Sequence, residues 1–142
     1  MIADVQCVCA TARAASRELT RRYDAALRPS GLRTTQLSLL SRLAEDGPLP
    51  VSQLAARLGL DRTSLTRELA VLTGRGLVEL GRGADRRARV AALTPAGTDA
   101  LRAAWPYWEA AQAAAFAALG EDRTARLLDD LRAVSALAGG MT

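Results

Sequence analysis

The sequence predicts a mainly α-helical chain in which a winged helix-turn-helix is flanked on both sides by further helices, and three observations carry that prediction. Nearly half of the 142 residues are hydrophobic but only 4% are aromatic, so the apolar material is mostly Ala, Leu and Val, of which Ala and Leu favour helix. Residues 51–94 hold two short stretches of helical apolar spacing, parted by a turn at Gly59-Leu60 and followed by a hairpin rich in Gly and Arg. Charge is also unevenly placed. Residues 52–93 carry eight Arg against four acids, whereas residues 94–142 carry four Arg against six acids.

Each element has its own local reason. Residues 2–27 recur at three- and four-residue spacing through Ile2, Val5, Cys9, Ala12, Ser16, Leu19, Tyr23 and Ala26, which predicts a first helix, α1. Pro29-Ser30-Gly31 breaks it, and Thr34 or Thr35 can cap a second helix, α2, through Glu45. The turn at 46–50 has room for a one- or two-residue strand pairing with the wing. Ser52 is placed to cap α3, over 52–58, with Leu54, Ala55 and Leu58 inward. Asp61 precedes α4, which buries Leu65, Leu69 and Leu72 and ends at Gly74 and Gly76. Strands are expected over 77–80 and 89–93, with residues 81–88 as the loop between them. Thr94-Pro95 opens α5, with Pro at the first position where its missing N–H costs nothing; the helix spans 95–119 with Pro106 inside it. Gly120 separates it from α6, over 121–138.

The resulting order is α1-α2-α3-α4-β-wing-β-α5-α6 in a single domain over 1–142. Residues 34–94 form the winged helix-turn-helix part. Residues 1–30 and 95–142 carry more hydrophobic face than one small winged unit can cover, so they are expected to form a helical dimerisation part.

Composition also excludes function classes. The chain has no His, which removes the usual general base and the commonest metal ligand, and two Cys are too few for a Cys-rich zinc site. No cofactor, metal site or enzymatic activity is expected. The N-terminus lacks the pattern of a secretory leader and no run approaches the ~20 apolar residues that span a bilayer, so a cytoplasmic protein without membrane partners is expected. The net charge of +4 suits a polyanionic partner.

The chemistry concentrates on α4 and the wing. With Leu65, Leu69 and Leu72 inward, helical geometry turns Arg62, Thr63, Ser64, Thr66 and Arg67 outward. These residue types reach phosphates and base edges of double-stranded DNA, although Arg and Thr also populate ordinary solvated faces. The wing, residues 81–89, places Arg82, Arg86 and Arg87 on a short basic loop, where Arg86 or Arg87 suits the negative potential of a minor groove. Asp85 would repel phosphate, so its expected role is to pair with Arg87 and fix the hairpin tip. In a two-fold homodimer the two α4 helices would lie about 34–36 Å apart, one DNA turn, and would read an inverted repeat.

These residues resemble the MarR family of bacterial transcription regulators across the whole chain. The resemblance is carried by Leu54 to Arg67 (LAARLGLDRTSLTR), Arg75-Gly76-Leu77-Val78, Asp85-Arg86-Arg87 and Leu93-Thr94-Pro95-Ala96-Gly97. It implies an obligate homodimer that represses nearby genes until a small molecule or an oxidant acts where the dimerisation and DNA-binding parts meet. The spacing Cys9-x7-Arg17-Glu18-x4-Tyr23 is similar to that of the family's organic-hydroperoxide sensors. By that likeness Cys9 is a candidate redox thiol, with Tyr23 beside it in role and Arg13, one helical turn on, able to favour the thiolate. The further tyrosines of those sensors are replaced here by Arg13 and Thr34. The alternative is that Cys9 is a small buried hydrophobe. Cys7 and Cys9 face different sides of a helix and should not bridge each other.

Trp105, Tyr107 and Trp108 are three of the five aromatic residues and surround Pro106. Trp105 and Trp108 either line an effector pocket or fill core space at the proline. Two rival functions remain open: a winged-helix protein-interaction module without specific DNA binding, against which Arg62 and Arg67 speak, and a thiol enzyme, against which the missing His speaks.

Overall fold

The computed structural model describes residues 7–85 and 87–139. Ile2 and Val5 of the expected first helix and Arg86 of the wing lie outside the described residues. The elements run α1 (Val8–Leu27), a 3-10 turn (Arg28–Ser30), α2 (Thr34–Asp46), β1 (Leu49–Pro50), α3 (Val51–Leu58), α4 (Arg62–Gly74), β2 (Val78–Arg82), β3 (Arg89–Leu93), α5 (Pro95–Leu119) and α6 (Glu121–Ser135), with a closing 3-10 turn (Ala136–Gly139). This is the predicted order, with the three strands in one antiparallel sheet ordered β1-β3-β2. Among the described residues no helix is long and apolar enough to cross a membrane.

The chain divides into two compact units, one to Trp108 and one from Glu109. The first contains a core made almost wholly of leucine. Leu39, Leu40, Leu54, Leu65 and Leu72 are fully buried, and Leu27 and Leu32 close it from the α1–α2 turn. Val78 and Ala91 present the sheet to the same core, and Ala104 brings the first half of α5 onto it. Burying a leucine side chain contributes roughly 1.5–3 kcal/mol, so this cluster is the main stabilising term. In the second unit Ala111 and Thr124 are buried, and the Thr124 hydroxyl donates to the Gly120 carbonyl at 2.7 Å.

Several boundaries differ from the sequence-based expectation, each for a local reason. α2 starts at Thr34, yet Thr34 does not cap it: its N–H and its hydroxyl both donate to Asp24 of α1, each at 2.6 Å. Arg33 takes the N-cap position, and its N–H donates to Gln36 Oε1 at 3.1 Å. α3 starts at Val51 with Pro50 as N-cap, not at a Ser52 cap, because Leu49 and Pro50 pair with Ala91 and Val90 and deliver the chain straight into the helix. Leu77 belongs to the turn after α4, its N–H donating to the Leu72 carbonyl at 2.9 Å, so β2 begins one residue late and runs on through Arg82. α6 gives way to 3-10 geometry at Ala136.

Thr94 acts as expected at the start of α5. Its hydroxyl accepts the Gly97 N–H at 3.0 Å and donates to the Gly76 carbonyl at 2.7 Å, joining the two ends of the β2–β3 ribbon. Gly97 is required by space: a Cβ there would sit 2.1 Å from the Leu77 carbonyl oxygen and 2.7 Å from Leu93 Cδ1. Asp61 caps α4, accepting the Ser64 N–H at 2.8 Å and the Ser64 hydroxyl at 2.9 Å. Those bonds, the backbone one foremost, hold the Asp61 carboxyl below the usual carboxylate range.

Two outcomes follow for stability. Gly97→Ala should destabilise the protein by about 1–3 kcal/mol, the usual cost of overpacking, read as a lower midpoint in urea unfolding. Because the folded Asp61 pKa is depressed, its capping contribution is present above the unfolded carboxylate pKa and is lost as pH falls through the folded value. Asp61→Asn, whose amide oxygen still caps but does not titrate, should therefore lose less stability on acidification than the wild type. Equal acid dependence in the two proteins would remove Asp61 from that role.

Candidate nucleic-acid interface

The exposed side of α4 follows from its buried side. Leu65, Leu69 and Leu72 are buried, and Arg62, Thr63, Thr66 and Arg67 are exposed, with Ser64 half-buried. The structure thus gathers the predicted α4 residues at the first two turns of one helix. Two of the hydroxyls have local partners that sequence reasoning did not supply. Ser64 donates to Asp61, and Thr66 donates to the Arg62 carbonyl at 2.8 Å. What these two present outward is acceptor oxygen and, for Thr66, a methyl group, rather than a free O–H donor.

The wing is a ribbon in which Val78 faces Leu93, Leu80 faces Ala91 and Arg82 faces Arg89. Two-residue alternation puts these three pairs on one side of the ribbon. The first two cover the core, and the third passes beyond it, where both arginines are exposed. Arg82 was expected in the loop and stands instead in β2. Arg89 was expected as a plain strand residue; the cross-strand register, which sequence alone does not fix, is what sets it opposite Arg82. Like charges directly opposite each other destabilise a ribbon, so this pair suits an anion between or beside the two guanidinium groups.

At the tip, Gly83 N–H donates to the Ala88 carbonyl and Ala88 N–H to the Asp85 carbonyl, both at 2.9 Å. Asp85 does stabilise the tip, but through the backbone: its Oδ1 accepts the Arg87 N–H at 3.2 Å, where pairing with the Arg87 side chain was expected. The Arg87 side chain is exposed. Among the described residues no ion pair engages Arg62, Arg67, Arg82, Arg87 or Arg89, whereas Arg33, Arg42 and Arg57 pair with Glu68, Glu45 and Asp46. The acids of this unit thus draw the charge of arginines elsewhere, and the α4 and wing arginines keep theirs.

The candidate regulatory residues fall into two groups. Cys7 caps α1, its sulfur accepting the Ala10 N–H at 3.4 Å, while Cys9 is exposed rather than buried as a hydrophobe would be. Arg13 is exposed one turn on. Tyr23 is half-buried, which pushes its hydroxyl pKa up, and it lies on the same helix as Cys9. The fourteen intervening steps amount to about 21 Å along the axis, so Cys9 and Tyr23 of one chain do not meet. Between them Glu18 binds Arg22 at 2.7 Å and also Arg21, and these pairs, Arg22 first, lower its pKa.

Trp105 and Trp108 stack with ring centroids 4.6 Å apart. Trp108 packs on the core, whereas Trp105 is 43% exposed, so filling core space accounts for one ring and not the other. Both line a cavity of about 500 Å³ whose polar wall includes Ser38, Ser41, Arg42 and Arg57.

Comparison with known proteins agrees with this geometry. Residues 30–88 match the MarR family. The transcriptional regulator MosR of M. tuberculosis, solved in complex with DNA, is 41% identical, with 95% of this chain and 98% of that one covered and a TM-score of 0.85. A second MosR structure is 38% identical over 98% and 100% of the two chains, with a TM-score of 0.86. PcaV of Streptomyces coelicolor, at 22% identity over 97% and 98%, shares the fold with a TM-score of 0.85. No curated protein matches the chain. With a leucine-cored winged helix-turn-helix and a relative this similar along its full length, the chain belongs to the MarR family of transcriptional regulators.

Proposed function

We propose that this chain is a sequence-specific DNA-binding regulator that works in the cytoplasm as a homodimer, reads an inverted-repeat operator and represses transcription until an effector releases it. The observation that carries the reading is the shared exposure of Arg62, Arg67, Arg82, Arg87 and Arg89 with no acid among the described residues paired to them. In this reading Arg67 and Arg62, supported by Thr63, Ser64 and Thr66, address the major groove, and Arg87 with Arg86 enters the minor groove. Asp85 holds the wing tip for them. That the similar MosR of M. tuberculosis was solved in complex with DNA supports DNA as the partner.

Dimerisation is supported by apolar surface that the isolated chain leaves open. Leu127, Leu131, Val134 and Leu137 of the second unit are 36–62% exposed, and an unpartnered stripe of that kind calls for a cover. Two release routes fit the geometry. A small molecule with an aromatic part suits the cavity that Trp105 and Trp108 line. Oxidation suits Cys9, which is exposed near Arg13.

The reading is tested by titrating the purified protein against the DNA upstream of its own gene and against a scrambled duplex, at two salt concentrations. Preference for the upstream duplex supports a specific regulator; equal, steeply salt-dependent binding to both marks a general DNA binder or an operator elsewhere, and no binding to either marks a protein-interaction module. Arg67→Ala should weaken specific binding by about 1–3 kcal/mol, and Arg87→Ala should weaken it while lowering its salt dependence. Arg89→Gln should lower affinity and reduce the salt slope by about one, yet leave the unfolding midpoint unchanged or raised, because it relieves the repulsion with Arg82.

A further inference from the structure

Three leucines fasten α4 to the core, and apolar contacts of that kind are non-directional. They choose the buried face but resist small slides and rotations weakly, whereas reading base edges needs side chains held to within about 0.5 Å. The cap at Asp61 and the Thr66 and Thr73 hydroxyls bond within α4 and its flank, so they stiffen the helix without tying it to the body. Near the far end Arg75 donates to the Gly31 carbonyl at 2.9 Å. Beside the reading face the directional tie is Glu68.

Glu68 adjoins Arg67 and its side chain is 12% exposed. One carboxylate oxygen accepts from the Arg33 guanidinium at 3.0 Å; the other accepts from it at 3.3 Å and from Gln36 Nε2 at 3.2 Å. Those donors are themselves held. Gln36 accepts the Arg33 N–H, and the next residue, Thr34, is fixed to Asp24 of α1 through both its N–H and its hydroxyl. A carboxylate one residue from Arg67 would on charge alone oppose any phosphate backbone.

We propose that Glu68 is a positioning residue: held by Arg33 and Gln36 on the first turn of α2, it fixes α4 in the register from which Arg62 and Arg67 discriminate between DNA sequences. It thereby raises selectivity while its charge lowers affinity for DNA in general. The inference rests on the DNA-binding reading above.

Charge and position predict opposite signs, which makes the test sharp. A duplex selected from a random pool by the wild-type chain, and a scrambled duplex of the same composition, are titrated with wild type, Glu68→Ala, Glu68→Gln and Arg33→Ala, and thermal unfolding is recorded for each. Glu68→Ala should bind the scrambled duplex at least as tightly as wild type but the selected one more weakly. Its preference should narrow about tenfold, the scale of one hydrogen bond to a charged group. Glu68→Gln, which can still accept from Arg33 and Gln36, should keep most of the preference. Arg33→Ala, which breaks the tie from α2 and leaves α4 unaltered, should narrow it as Glu68→Ala does and keeps the test decisive should Glu68→Ala fold poorly. If Glu68→Ala or Arg33→Ala retains the wild-type preference, or Glu68→Gln loses as much as Glu68→Ala, the positioning role is wrong while the DNA-binding reading stands. If the wild type enriches no duplex, that reading falls and this inference with it.

Discussion

Burial of Leu65, Leu69 and Leu72 against Leu40, Leu54 and their neighbours is the constraint from which the rest of the first unit follows. A helix that commits three leucines at that spacing to a core has no remaining choice about its other face. Arg62, Thr63, Thr66 and Arg67 face solvent because the leucines do not. The same logic runs through the sheet, where Val78 and Ala91 are buried and the alternation they impose carries Arg82 and Arg89 out along the wing.

Apolar packing alone would leave these elements loosely indexed, and a small set of polar bonds supplies the index. Thr94 joins the two ends of the ribbon through Gly76 and Gly97, and the close approach at Gly97 brings the start of α5 against Leu77. Asp24 holds the start of α2 to α1, and Glu68 carries that hold across to α4. Several other acids are likewise placed where they orient something. Asp46 binds Arg57, Asp61 caps a helix and Asp85 shapes a hairpin tip.

The paired tryptophans and Cys9 sit at different depths of this scheme. The paired tryptophans border a cavity between α2, α3 and α5 within the first unit, close to the leucine core on which α4 rests. Cys9 is out on the surface of α1, whose buried residue is Leu27 at its far end. An occupant of the cavity would act on the packing directly. At its far end α1 is tied to α4 by way of Asp24, Thr34, Arg33 and Glu68.

The sequence by itself determined the order of elements, the inward leucines of α3 and α4, the outward Arg62 and Arg67, the Thr94 cap and the short strand at Leu49-Pro50. All but the strand, which forms by pairing with Ala91 and Val90, rest on periodicity or on bonds between residues a few positions apart, and such interactions are written in the local spelling of the chain. Only the tertiary structure decided the facing of Arg82 and Arg89, the engagement of Thr34 with Asp24 in place of a cap, and the hold of Arg33 and Gln36 on Glu68. These three join separate elements or depend on which residues face each other across strands. Neither long-range partner choice nor strand register leaves a local trace in composition or spacing, because each is fixed by how closed elements pack and not by what any one of them contains.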